Sequence, residues 1–302
     1  MHIPDGILSV PVWAALNVAA APGIGLAVRR AKKGLSEGQA PLLGVMGAFV
    51  FAAQCMNFPV GFGTSGHLLG GALLAMTLGP GAAVIILTAI LILQALLFQD
   101  GGLLALGANA VNMALIGVWA GWIPYRMLSQ GPLRTVGIFA GGFLSVLASA
   151  AAAILELRLS GVPMSSAVVG VSSLVFLATA TIEGLITVAV LQAVERLNPG
   201  WLRQPRGTPG RAAGLLVTAA ILIVAAGVLY ASALPDGFES LAHQLGIASR
   251  ERTIWNAPLP DYEAPFFVAE WSKKAVAGLA GLGLIYGICM TVGRLLIRQR
   301  SA

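Results

Sequence analysis

The chain has 302 residues, 57% hydrophobic and only 10% charged, with 38 glycines and a formal net charge of +6. Soluble domains carry about a quarter charged residues, so this composition excludes an ordinary soluble enzyme and predicts an all-α polytopic membrane protein. The positive charge is a matter of membrane topology, as shown below, and no nucleic-acid partner is expected.

A helix needs about 20 apolar residues to cross roughly 30 Å of hydrocarbon. Apolar runs near 7–28, 41–60, 67–79, 80–98, 103–123, 133–155, 165–194, 212–234 and 272–296 predict nine transmembrane helices. The third run is short and glycine-rich and reads as a half-length or tilted helix. Ahead of the first run stands MHIPDG, in which Asp5 is placed to N-cap the first helix. Ala19-Ala20-Ala21 resembles a signal-peptidase site, but the preceding segment lacks a basic residue and holds Asp5, so Met1 is expected to remain. Basic residues set the orientation. With the N-terminus outside, nine crossings place Arg29, Arg30, Lys32, Lys33, Arg126 and Arg134 inside, together with the arginines of 196–211 and 294–300. That is 13 of the 18 basic residues, and it puts the C-terminus inside.

The stretch ERLNPGWLRQPRGTPGR marks a cytoplasmic linker at 198–211. It separates a seven-helix portion, 1–197, from a two-helix portion, 212–302, whose external loop spans 235–271. That loop is acidic, aromatic and proline-containing, and Glu239 to Gly246 predicts a short amphipathic helix with Phe238, Leu241 and Leu245 on one face. Cys55 and Cys289 lie in separate apolar spans and read as buried hydrophobes.

Only three histidines are present: His2, His67 and His243. A histidine at position two is a chelator. The Met1 amine, the His2 amide nitrogen and its Nδ1 can close two fused rings on one ion, in the plane that Ni(II) or Cu(II) prefers. His67, in the glycine-rich segment FPVGFGTSGHLLGG and on the same side of the membrane, is the candidate fourth nitrogen. Polar residues within apolar spans usually face the bundle interior. Among them, Asn109 and Asn112 of GANAVNMA share one helix face and, with Ser65, are candidates to orient the ligand histidines. Glu183, deep in a span, either pairs with a polar neighbour or marks a proton path. The absence of GxxxxGK[ST] excludes P-loop ATP hydrolysis by this chain. Two other readings remain: a self-contained proton-coupled metal transporter or channel using Glu183, and an intramembrane serine protease built on Ser65, which would need a histidine base from another helix.

MHIPDG, GTSGHLLGG and GANAVNMA resemble the substrate-binding membrane subunit of cobalt/nickel energy-coupling-factor transporters, the CbiM/NikM family, over residues 1 to about 197. PDGFESLAHQLG and PLPDYEAPF resemble the small companion subunit of that system (CbiN/NikN-like), here fused. The resemblance implies a metal held square-planar by Met1, His2 and His67, and an extra N-terminal helix on a six-helix core. It also implies separate partners, a transmembrane coupling subunit and cytoplasmic ABC ATPases, in the bacterial cytoplasmic (inner) membrane. The chain would be a transporter subunit and not an enzyme, with Ni(II) or Co(II) as transported substrate, nickel favoured by the fusion, and no organic cofactor.

Overall fold

In the computed structural model, which describes residues 1–35, 39–197 and 211–301, apolar runs become helices wherever no glycine or proline breaks them. The helices are α1 (Val10–Gly34), α2 (Ala40–Cys55), α3 (Gly71–Leu78), α4 (Pro80–Phe98), α5 (Leu106–Leu128), α6 (Arg134–Leu159), α7 (Ser166–Leu197), α8 (Arg211–Tyr230), α9 (Gly237–Gln244) and α10 (Glu270–Ser301). Among the described residues, seven of these are long and apolar enough to cross a membrane: α1, α4, α5, α6, α7, α8 and α10. The protein is an all-α, multi-pass membrane protein. Apart from Arg211, the expected linker 198–211 lies outside the described residues.

The expected second and third spans differ from full crossings. α2 stops at Cys55 because the chain turns there into a small antiparallel hairpin, β1 (Phe58–Gly61) and β2 (Thr64–Gly66), paired Phe58 to Gly66 and Pro59 to Ser65. α3 is only eight residues, bounded by Gly70 and Gly79, both at positive φ. Yet α2 is buried almost throughout, because α8 and α10 pack along it. Close approach depends on glycine, as expected where helices associate in lipid. A Cβ on Gly47 would lie 2.9 Å from Cys289 Sγ, and one on Gly281 would lie 2.4 Å from Phe51. The two C-terminal long helices therefore share one core with the preceding bundle.

At one end of the bundle a second apolar cluster forms. Ile3, Ile7 and Leu8 of the N-terminal segment pack with Phe238, Leu241 and Ile247 of the 235–271 loop. The amphipathic helix expected near 239–246 is α9, with Phe238 and Leu241 buried and a complete capping box between Asp236 and Glu239. Asp5 does not cap the first helix, which begins at Val10 behind Ser9. Its carboxylate instead accepts hydrogen bonds from the amides of Leu103, Leu104 and Ala105, in the turn that leads into α5. The exchange ties the N-terminal segment to the turn at 103–105.

Candidate metal centre at the N-terminus

The N-terminal strand is fixed by its backbone. Asn109, facing inward from α5, takes the Ile3 N–H on Oδ1 at 2.8 Å and donates Nδ2 to the Ile3 carbonyl at 3.1 Å. Gly102 N–H donates to that same carbonyl at 2.9 Å. Residue 101 must be glycine: its φ is +92°, and a Cβ would lie 3.2 Å from His2 Cβ. His2 is thereby carried to the wall of a polar cavity of about 370 Å³, and the Met1 amine to two of its lining residues, His67 and Asp236.

Here the structure brings Met1, His2 and His67 together. The Met1 amine lies 2.7 Å from His67 Nε2, and the two imidazoles are near-parallel, 11° apart with centroids at 5.5 Å. Both histidines are nearly solvent-free, at 6% and 8% exposure. His67 Nδ1 is 3.0 Å from the Leu68 carbonyl. A carbonyl only accepts, so the proton sits on Nδ1 and the Nε2 lone pair faces the Met1 amine. Burial pushes the His67 pKa down, and the neighbouring ammonium pushes it further, which keeps the ring neutral.

Two carboxylates that sequence reasoning did not single out complete the centre. Asp236, at the start of α9, forms an ion pair with the Met1 ammonium and lies 3.7 Å from His67 Nε2. Burial works to raise its pKa, but the Met1 ammonium overcomes that and holds it well below the carboxylate range. Asp100 accepts from His2 Nδ1 at 2.9 Å and from the Tyr262 hydroxyl at 2.5 Å, while His2 Nε2 is buried without a partner. Burial again opposes ionisation of Asp100, and His2 overrides it, so this pKa is lowered too. The capping signal Asp236-x-x-Glu239 was visible in the sequence. Nothing local announces that the same carboxylate reaches residue 1.

The remaining candidates are placed as follows. Ser65 donates Oγ to the Leu234 carbonyl at 2.7 Å, and its N–H donates to the Pro235 carbonyl at 2.8 Å, which docks the segment before Asp236 against β2. Its hydroxyl faces a carbonyl and not an imidazole, so it has no base. Asn109 holds the backbone of Ile3 and neither imidazole. Asn112 donates to Glu156 at 2.9 Å, away from the centre. His243 is exposed on α9 and lines no part of the cavity. Among the described residues no three His, Cys, Asp or Glu side chains stand together so as to hold a metal ion. The cavity wall carries six carboxylates, on Asp100, Asp236, Glu239, Glu251, Asp261 and Glu263, against Lys274, so its potential is negative.

This fold and this cavity define a multi-pass membrane protein whose own amino terminus is built into a polar, acidic site at one end of the helix bundle. Residues 2–201 match the family described as the cobalt uptake substrate-specific transmembrane region (CbiM), and residues 211–298 match the PDGLE domain. The chain belongs to the CbiM family. It is 29% identical to the fused nickel transport protein NikMN of Rhodobacter capsulatus, over the full length of both chains. It is 37% identical to the cobalt transport protein CbiM of Geobacter sulfurreducens, over 67% of this chain and 61% of that one. A solved structure described as a truncated transition metal transporter is 36% identical, with a TM-score of 0.58, and covers 65% of this chain and 99% of its own. These relatives are transport proteins and not enzymes.

Proposed function

We propose that this chain captures a divalent transition-metal ion, Ni(II) before Co(II), and carries it across the membrane as the substrate-specific subunit of an ATP-driven energy-coupling-factor importer. The ligands are the Met1 amine, the His2 amide and ring nitrogens, and His67 Nε2. The observation that supports this best is the placement of the Met1 amine 2.7 Å from the lone pair of a neutral, tautomer-fixed His67. The acidic cavity mouth raises the local concentration of a dication. Loading then exchanges carboxylate contacts for metal–nitrogen bonds: Asp236 gives up the Met1 amine and Asp100 gives up His2 Nδ1. The amine and the amide lose protons as they bind, and the proton that His2 Nδ1 shares with Asp100 moves to the unpartnered Nε2 or leaves, freeing the Nδ1 lone pair. Four nitrogens, one of them ionised, favour a planar low-spin Ni(II) over oxygen-seeking ions.

In this reading residues 1–197 bind the metal, 198–211 link, and 212–302 are the companion portion. There are nine crossings, seven plus two, with α2 and α3 as the short members. The N-terminus, the cavity and the 235–271 loop face outward and the C-terminus faces the cytoplasm. A transmembrane coupling subunit and ABC ATPases supply the energy, since this chain has no nucleotide loop.

The test is one residue added before Met1. It turns the amine into an amide and displaces the new terminus from the plane. Ni(II) calorimetry on native and extended proteins should show binding lost in the extended form; equal affinities would overturn the chelate.

A further inference from the structure

Glu183 is a carboxylate deep in α7, 1% exposed, that the proposed chemistry leaves without a task. Its two oxygens accept from consecutive amides, Leu69 N–H at 2.7 Å on Oε2 and Gly70 N–H at 2.9 Å on Oε1. These are the amides that open α3, immediately after His67. From the other side, Gln54 of α2 donates Nε2 to the Leu69 carbonyl at 2.8 Å. Gly70 sits at φ +76° against the Val50 side chain, where a Cβ would come within 2.4 Å. In the turn 67–70 the Leu69 and Gly70 amides and the Leu69 carbonyl are therefore held by side chains from two helices, and the Leu68 carbonyl by the His67 ring itself. A carboxylate at the N-terminus of α3 also offsets the partial positive charge of that helix end, which otherwise points toward the place where a dication would sit.

We infer that Glu183 is a positioning residue for the metal centre: by clamping the Leu69 and Gly70 amides it aims His67 Nε2 at the Met1 amine. This rests on the reading of His67 as a ligand. It also gives Glu183 a fixed task, in place of the mobile one a proton carrier needs. Outer partners of metal ligands are worth about 10–100-fold in affinity, and the clamp should lie in that range.

The experiment uses the full chain with its native N-terminus, Ni(II) as the probe, titration calorimetry and the visible d–d spectrum. Glu183→Gln keeps size and one acceptor but turns an N–H donor toward an N–H donor. It should lose about 10–100-fold in affinity, and its Ni(II) band should shift toward that of His67→Ala, in which a nitrogen donor is lost. Thr77→Val, at the far end of α3, should match the native protein in both. Should Glu183→Gln not accumulate as folded protein, Gln54→Met, which releases the other side of the turn, decides by the same two readouts. Native affinity and an unshifted band in Glu183→Gln, or in Gln54→Met where it stands in, would overturn the inference. So would uptake lost in Glu183→Gln with binding intact, which is the mark of a proton carrier. If His67→Ala itself binds like the native protein, it is the ligand assignment that fails, and that outcome is read separately.

Discussion

Replacing Asn109 with alanine should weaken metal binding without touching any proposed ligand. The side chain makes two buried hydrogen bonds to Ile3, at 2.8 and 3.1 Å. Each is worth about 1 kcal/mol net, so their loss costs about 2 kcal/mol. The Ile3 carbonyl keeps Gly102 as a donor, but the Ile3 N–H is left with nothing in a dry site. The strand must then either bury an orphan amide or swing free and be re-ordered by the metal. Both routes charge the cost to binding, and about 2 kcal/mol is roughly 30-fold in Kd. Asn109→Asp separates the two bonds: it keeps the acceptor for Ile3 N–H and loses the donor, so about 1 kcal/mol, or roughly fivefold, is expected. The assay is Ni(II) calorimetry on purified protein with the native N-terminus and matched helical content. An Asn109→Ala affinity within threefold of native would refute the idea that strand docking prepays for metal capture.

His67→Ala should abolish tight Ni(II) binding while His243→Ala leaves it unchanged, since His243 is exposed and off the cavity; calorimetry on the pair decides. Gly101→Ala should weaken binding by distorting the turn beside His2, because alanine at φ +92° is strained by about 1–3 kcal/mol. For pH, the folded His67 pKa lies below its unfolded value of about 6.5. The unfolded chain then binds more protons, so the stabilisation is complete above about pH 6.5 and is lost as pH falls through the lowered folded value. The lowered Asp236 acts the same way in a separate window, with stability present above about pH 3.9 and lost below. Melting of the metal-free protein in detergent should fall in two acid steps, and His67→Gln should erase the upper one. Deleting 238–266 removes Phe238, Leu241 and Ile247 from the cluster that seats Ile3. Metal-dependent uptake should fall while the lipid-facing bundle still inserts, measured at matched expression.

Much of the fold was legible because membrane helices advertise themselves by length and hydropathy, and α9 by the apolar face of Phe238, Leu241 and Leu245, of which Phe238 and Leu241 are buried. The convergence of His2 and His67 on one end followed from topology, which fixes sides before it fixes neighbours. What the sequence hid are partnerships between distant residues. Asp5 looked like a local helix cap and serves the turn that leads into α5 instead. Asp236 reads as one acid among several in the 235–271 loop, and nothing around Asp100 marks it out, yet each holds a different residue of the N-terminal segment. Tyr262 joins Asp100 from a left-handed backbone conformation, φ +60°, that no periodicity predicts. Such pairings carry no spacing signal, because nothing in the intervening chain has to repeat for them to form.

The ion pair between Met1 and Asp236 spans 235 residues of sequence. Ribosomes extend a chain at about 5–20 residues per second, so the two ends of this contact are born roughly 10–50 seconds apart. Through that interval the first residue has been made and its counter-charge has not. Contacts to His67, Asp100 and Asn109 become available in turn, each closing a longer loop than the last. The centre is therefore sealed late, by the fused C-terminal portion. Until that portion arrives the Met1 amine has no Asp236 to pair with. In such a protein the order of synthesis sets when the first residue meets its counter-charge, and a separately encoded companion would delay that meeting for as long as the partner took to find it.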